Sequence, residues 1–162
     1  MLKQQTKQAV KYSQSQEFQS SRKLLQLAKQ SHEQYLLKQQ QIDLENAIDY
    51  YIRAMKLTPH MSEPYYKLAI LLYNKKQISL EQALNQCKKA VMLDPDCPKA
   101  KLYYGYFLNL SGQTRQAKQE FSKASIIIEA KYNGWLVLPS VSFKITSLKY
   151  TSLSNGYISL TL

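Results

Sequence analysis

The sequence predicts an all-α protein built from helical hairpins, and three recurring alanine pairs carry that prediction. The pairs follow one another at nearly constant intervals: Ala47 and Ala54, Ala83 and Ala90, Ala117 and Ala124. Four positions after the first alanine of each pair stands a bulky or semi-bulky residue: Tyr51, Cys87 and Phe121. Residues at this spacing share one helix face, where alanine admits a neighbouring helix and the larger residue fills the remaining space. A period of about 34 residues is typical of stacked helical hairpins.

Prolines and a glycine divide the expected hairpins into helices. Pro59 and Pro95 follow two of the alanine pairs by five positions, and each is expected to end a second helix because proline lacks an N–H donor. Pro64 and Pro98 suit the first turn of a first helix, and Gly112 suits the end of one. The expected first helix of the second hairpin has apolar residues at i, i+3, i+4 and i+7: Tyr65, Leu68, Ala69 and Leu72.

These small, bulky and proline positions make the chain resemble the tetratricopeptide repeat (TPR) family, in about three units over residues 31–128. The resemblance implies a solenoid of helical hairpins. Three residues depart from the family pattern: Lys101 stands where an aromatic residue usually begins a first helix, Cys87 replaces a larger residue, and Glu129 replaces a proline. Two extra residues within Lys75–Glu81 are expected to lengthen one loop between helices without breaking the stack.

The sequence predicts three segments: a polar, basic N-terminal tail (1–15), the repeat domain (16–130) and a C-terminal extension (131–162). Residues 1–41 include twelve glutamines and no proline or glycine. We favour one long helix, roughly Gln16–Gln40, that caps the array. The alternative is a degenerate additional repeat, which requires a turn between Ala28 and Ser31.

The C-terminal extension is expected to be β-like or disordered. Val141, Phe143 and Ile145 alternate with polar residues, and Asn155-Gly156, a favoured hairpin turn, precedes a second alternating run at 157–162. The abrupt apolar ending leaves open that the chain is a fragment of a longer protein.

The net charge of +11 is concentrated at the two ends of the chain. Residues 1–41 hold seven Lys/Arg against two acids, residues 42–130 twelve against nine, and residues 131–162 three against none. One alternative is therefore an RNA- or ribosome-associated structural protein that uses these basic residues: Lys3, Lys7, Lys11, Arg22, Lys23, Lys144 and Lys149. Because the central region lacks a clustered basic stripe, we expect at most weak, non-specific nucleic-acid binding.

Catalytic, cofactor and metal motifs are absent from the sequence, so we predict no enzyme and no cofactor. Four glycines form no phosphate-binding loop, and neither a zinc-protease nor a serine-hydrolase motif occurs. Cys87 and Cys97 are expected to be free thiols in a reducing compartment, without histidines at metal-ligand spacing. No apolar run is long enough to span a membrane, and the first residues do not form a secretory signal. An intracellular, most simply cytoplasmic, protein is predicted, with its oligomeric state open.

The TPR resemblance implies that the first helices line a concave groove that binds a partner protein. Tyrosines suit such a face because they give large contact area at low entropic cost, although they would equally serve simply to cover the helices. The candidate groove residues are His32, Leu36, Glu63, Tyr66, Lys67, Ile70, Tyr73, Asn74, Lys99, Tyr103, Tyr106 and Asn109.

The predicted function is a non-catalytic adaptor, co-chaperone or assembly factor that binds a peptide or helix in this groove. In chaperone-binding members of the family, particular side chains grip a terminal carboxylate. Lys99 matches one of these lysines, but Tyr103 stands where an arginine is wanted and Lys67 where an asparagine is wanted. Capture of heat-shock chaperone tails is therefore not expected.

Overall fold

The computed structural model describes residues 16–132 and the strand residues 135–138, 141–144, 149–152 and 158–161. The helices in this part of the chain are α1 (Gln16–Lys38), α2 (Gln41–Leu57), α3 (Glu63–Asn74), α4 (Leu80–Leu93), α5 (Pro98–Leu110) and α6 (Thr114–Tyr132). The chain divides into two compact units, a first unit of residues 1–64 and a second unit of residues 65–162.

In the first unit, α1 and α2 form a helical hairpin. Helix α1 passes through Ala28–Ser31 without interruption, which confirms the long helix and excludes a turn there. The turn lies instead at Gln39 and Gln40, where Gln39 takes a left-handed conformation with φ of 56°. The long helix is therefore the first helix of the leading hairpin, and it pairs with α2. Its buried side chains are Ser21, Leu25 and Ala28.

A buried hydroxyl pair joins α1 to the end of α2. The Ser21 Oγ lies 2.5 Å from Thr58 Oγ1, and the Thr58 hydroxyl donates to the carbonyl oxygen of Ala54 at 3.0 Å. The same carbonyl accepts the backbone N–H of Thr58 at 3.0 Å, so the hydroxyl adds a second hydrogen bond where α2 ends. The two polar side chains are buried at low cost because they are hydrogen-bonded.

The alanine pairs and the larger residues between them lie at helix interfaces, as predicted. Ala47, Tyr51 and Ala54 are buried on α2; Ala83, Cys87 and Ala90 on α4; Ala117, Phe121 and Ala124 on α6. In the second unit, Phe121 and both alanines of α6 belong to a cluster with Leu102, Leu108 and Ile128. This cluster holds α5 against α6.

Gly105 and Phe121 form the closest approach between α5 and α6. A Cβ atom built on Gly105 would lie 2.8 Å from Cε1 of Phe121, nearer than carbon atoms normally approach. The equivalent positions of the preceding hairpin hold Ala69 and Cys87. The smaller Cys87 thus stands at the position that pairs with an alanine, whereas the larger Phe121 stands at the position that pairs with a glycine.

The unusual Lys101 is compensated by an acidic residue on the facing helix. Its side chain is largely buried, and its Nζ lies 3.9 Å from Oε2 of Glu120 on α6. The other oxygen of Glu120 pairs with Lys123 Nζ at 2.7 Å. Glu120 provides the counter-charge for this largely buried lysine.

Loop lengths and helix ends follow the sequence predictions. The α3–α4 loop has five residues, two more than the α5–α6 loop, as the extra residues predicted. Lys76 in the longer loop has φ of 57°, and Gly112 in the shorter one has φ of 80°. Helices α2 and α4 end two residues before Pro59 and Pro95. Helix α6 has Glu129 in place of that proline and continues to Tyr132, since nothing there removes a hydrogen-bond donor.

The C-terminal extension contains two antiparallel strand pairs. Strand β1 (Trp135–Leu138) pairs with β2 (Val141–Lys144), with Trp135 opposite Lys144. Strand β3 (Lys149–Ser152) pairs with β4 (Ile158–Thr161), with Lys149 opposite Thr161. The alternating runs contain strands at Val141–Lys144 and Ile158–Thr161, which is the β-like alternative of the prediction, while the β1 strand was not predicted. Ile145 and the Asn155-Gly156 turn lie outside the described residues.

Candidate functional site

The candidate groove residues are distributed over both units. His32 and Leu36 are half-buried on α1, and Glu63 begins α3; all three belong to the first unit. Glu63 pairs with Lys29 of α1 at 3.1 Å, an ion pair near the surface that contributes little to stability. The remaining nine residues belong to α3 and α5 of the second unit, and we describe these as the aromatic face.

A three-residue layer crosses from α3 to α5. The Tyr66 and Tyr103 rings are stacked, with centroids 5.3 Å apart and planes inclined by 16°. The Lys67 ammonium lies 5.9 Å from the Tyr103 centroid, within the range of a cation–π contact. Tyr66 and Lys67 are buried, whereas Tyr103 is half-buried. The Tyr103 ring is therefore held by neighbouring groups while part of it stays accessible.

A second aromatic group is centred on Phe107 of α5. Tyr73 and Tyr106 both contact this ring edge-on, at centroid distances of 5.3 and 5.1 Å. Burial raises the pKa of the Tyr106 hydroxyl, and the negative charge of ionised Tyr73 raises it further. Phe107 is fully buried and was not identified from the sequence, since it stands outside the i, i+3, i+4 and i+7 positions that the repeat pattern marks on α5.

Exposure separates the aromatic face into a buried base and an accessible rim. Tyr66, Lys67 and Ile70 are buried, although all three were predicted to line an open groove. Tyr73, Lys99, Tyr103 and Tyr106 are half-buried, and Asn74 and Asn109 are exposed. The rim offers phenol hydroxyls, carboxamides and one ammonium group, all able to donate hydrogen bonds.

The described residues contain no arrangement that suggests catalysis or metal binding. No group of three or more His, Cys, Asp or Glu side chains among them is placed to hold a metal ion. Cys87 is completely buried, and this burial raises the pKa of its thiol, which disfavours the nucleophilic thiolate. Within the same residues, no helix combines the length and apolarity needed to cross a membrane.

The basic residues of the nucleic-acid alternative are only partly described. Arg22 and Lys23 are exposed on α1, where Arg22 lies 5.9 Å from the Phe18 ring centroid. Lys144 and Lys149 belong to strands β2 and β3. Lys3, Lys7 and Lys11 lie outside the described residues, so this alternative stays a hypothesis.

Comparison with known proteins identifies the fold. No protein-family model and no curated protein sequence matches the chain. Among solved structures, the TPR2B domain of yeast Sti1 in its pHsp70 complex matches 72% of this chain and 86% of its own, at 22% identity and a TM-score of 0.56. The match to the Arabidopsis OM64 TPR domain covers 72% of this chain and 88% of that domain, at 21% identity and a TM-score of 0.54. A third match is the second TPR of Spaghetti (RPAP3), bound to the HSP90 peptide SRMEEVD. It covers 67% of this chain and 95% of that domain, at 19% identity and a TM-score of 0.53. The chain therefore has a TPR fold of about three hairpins.

Proposed function

We propose that the chain is a non-catalytic protein-interaction module whose aromatic face binds a peptide or helix of a partner protein. The observation that carries this proposal is the pair of ring assemblies on α3 and α5, in which half-buried tyrosines are held by neighbouring rings. Side chains that are already ordered lose little conformational entropy when a ligand binds, so more of the contact energy appears as affinity. Of the solved TPR domains with the same fold, one is in complex with pHsp70 and another is bound to an HSP90 peptide, which supports this kind of role.

The chemistry of the rim defines what the partner must present. Tyr73, Tyr103 and Tyr106 offer ring surface for apolar side chains and hydroxyls for hydrogen bonds. Asn74 and Asn109 are suited to pair with main-chain amides of an extended segment. Lys99 adds a positive charge, and Glu63 at the start of α3 is the sole carboxylate in the sequences of α3 and α5. We infer that the partner segment combines apolar side chains with little positive charge.

The test begins with the full chain as bait in affinity capture, followed by mapping of each partner to its shortest binding segment. The affinity of that segment is then measured for the wild type and for Tyr73→Ala/Tyr103→Ala/Tyr106→Ala. Tyr66 is left intact because it is buried. Truncating one hot-spot tyrosine at the centre of an interface costs about 2 kcal/mol or more, so even one hot spot among the three lowers the affinity at least about thirtyfold.

The matched control is Asn85→Ala/Gln119→Ala/Ser122→Ala, three exposed residues on α4 and α6. It is expected to bind as the wild type does. Unchanged affinity of the tyrosine variant, with its helical circular dichroism intact, would exclude the aromatic face as the binding site.

A further inference from the structure

The outer faces of α4 and α6 each expose one large apolar side chain at the same position of the repeat. Met92 is 73% exposed and Ile126 is 64% exposed. The step from one to the other equals the step from Ala90 to Ala124, the second alanines of the pairs on these helices. Each stands two residues after that alanine, which places it almost opposite the buried face. The two later hairpins therefore share this exposed apolar position.

Basic residues surround both apolar side chains. Lys88 and Lys89 precede Met92 by four and three residues, and Lys123 precedes Ile126 by three, so each lies one turn away on the helix surface. Lys89 is exposed, and its ammonium lies 4.6 Å from the centroid of the buried Tyr65 ring of α3. Arg115 and Lys118, also exposed, extend the basic surface towards the start of α6.

Acidic residues on these faces do not balance the lysines and arginine. Glu120 is held between Lys101 and Lys123, and the exposed acids are Glu81 at the start of α4 and Glu129 on α6. Over α4 and residues 114–130 of α6 there are five Lys/Arg and three Asp/Glu. These two helices therefore carry a positive excess.

We propose that the outer faces of α4 and α6 form a docking surface for an anionic lipid membrane. Met92 and Ile126 enter the interfacial layer, and the surrounding lysines and arginine contact the negative headgroups. Such peripheral binding combines buried apolar area with electrostatic attraction between basic residues and the anionic headgroups. Lysine and arginine are suited to this arrangement because their aliphatic stems cover apolar surface while their charges reach the headgroups.

The combination of apolar and basic residues favours a membrane over a nucleic acid. Phosphate contacts account for the lysines in either case, but a nucleic acid backbone offers no apolar phase for two exposed aliphatic side chains. The leading hairpin provides an internal comparison. Its equivalent positions hold Arg53, which pairs with Asp49 at 3.5 Å, and Lys56 in place of the apolar residue. The docking surface is therefore confined to the two later hairpins.

The experiment measures co-sedimentation of the full chain with phosphatidylcholine vesicles that contain or lack phosphatidylserine. The key variant is Met92→Ser/Ile126→Ser. Its control is Leu37→Ser/Ile42→Ser, which removes an apolar pair that is 83% and 58% exposed at the α1–α2 turn. A charge variant, Lys88→Glu/Lys118→Glu, tests the headgroup contacts. All six positions are exposed, so the variants are expected to fold.

The wild type and the control are expected to bind the anionic vesicles and not the neutral ones. Because Met92→Ser/Ile126→Ser removes both apolar side chains from the interfacial layer, this variant is expected to lose at least about tenfold in affinity. The charge variant is expected to lose binding to the anionic vesicles, and with it the dependence of that binding on salt concentration.

The proposal would be overturned if the wild type failed to bind anionic vesicles. It would also be overturned if the serine variant bound as tightly as the wild type, or if the control lost as much affinity as the serine variant. Binding to single-stranded oligouridylate that competes with vesicles and is indifferent to the serine variant would assign the lysines to a nucleic acid instead.

Discussion

The contact between Gly105 and Phe121 provides the sharpest test of how the last hairpin is packed. In Gly105→Ala, the new Cβ would lie 2.8, 2.9 and 3.0 Å from three atoms of the Phe121 ring. Unbonded carbon atoms prefer about 3.5–4.0 Å, so the ring or a helix must move by roughly half an ångström or more. Overpacking of this size costs about 1–3 kcal/mol, while exchanging glycine for alanine inside a helix returns about 1 kcal/mol. We expect a net loss of about 1 kcal/mol in the free energy of unfolding.

A double-mutant cycle separates this clash from other effects of the substitution. Phe121→Leu removes the atoms that the new Cβ meets, so Gly105→Ala in that background is expected to be neutral or to stabilise by up to about 1 kcal/mol. Urea unfolding followed by circular dichroism gives the four free energies. The control is Gly112→Ala, which has no atom within 4 Å but needs a φ of 80°; it is expected to destabilise equally in both backgrounds. If Gly105→Ala has the same effect with Phe121 and with Leu at that position, the steric reasoning is wrong.

Three further predictions follow from the buried face and from the aromatic face. Ala90→Trp is expected to lower the free energy of unfolding by about 3 kcal/mol or more, because Ala90 is fully buried at a helix contact. Asn85→Trp, at an exposed position of the same helix, is the control. A melting curve like that of the wild type for Ala90→Trp would refute the repeat register. Burial raises the pKa of Cys87 above the usual 9.0 of a thiol, so the thiol of the unfolded chain ionises first, and its contribution to the free energy of unfolding is present below about pH 9 and is lost as the pH rises above it. Cys87→Ala is therefore expected to reduce the alkaline loss of stability in urea unfolding measured at several pH values. An unchanged dependence of the unfolding free energy on pH would contradict this role of Cys87. The peptide SRMEEVD, present in the RPAP3 structure, is expected to bind this chain with a Kd above about 100 μM by calorimetry, because Tyr103 replaces the arginine wanted for the carboxylate; low-micromolar binding would contradict this.

The repeating features of the fold were predictable from sequence because each has a local cause. Alanine pairs specify which face of a second helix admits a neighbour, and all six alanines are buried. Pro59 and Pro95 set the ends of two helices through the loss of a donor. The two extra residues near Lys76 could only enter a loop, since an insertion within a helix would rotate its buried face by more than half a turn.

Other features depend on neighbours that sequence spacing does not specify. The pattern placed Tyr66, Lys67 and Ile70 on the groove side of α3, but it carried no information on how far neighbouring side chains cover them. Phe107 stands outside the marked repeat positions of α5, so its contacts with Tyr73 and Tyr106 are seen only in the ring geometry.

The departure at Lys101 shows the same limit. Its partner Glu120 lies on the following helix, and no periodicity links the two positions. The function and the role of each groove residue therefore stay proposals, whereas the fold and its repeat positions are established.

The loop between α3 and α4 makes the second hairpin a natural place to insert foreign sequence. Helix α4 starts from its own capping box, in which the Ser79 N–H donates to Gln82 Oε1 at 2.9 Å and the Gln82 N–H donates to Ser79 Oγ at 3.1 Å. The start of the helix is thus fixed by residues that come after the loop, and the loop already tolerates a longer form than its counterpart. Closing a loop of twice the length costs only about 0.6 kcal/mol, so an epitope or a fluorophore-binding tag placed next to Lys76 would report on the protein in cells while leaving the aromatic face and the outer faces of α4 and α6 intact.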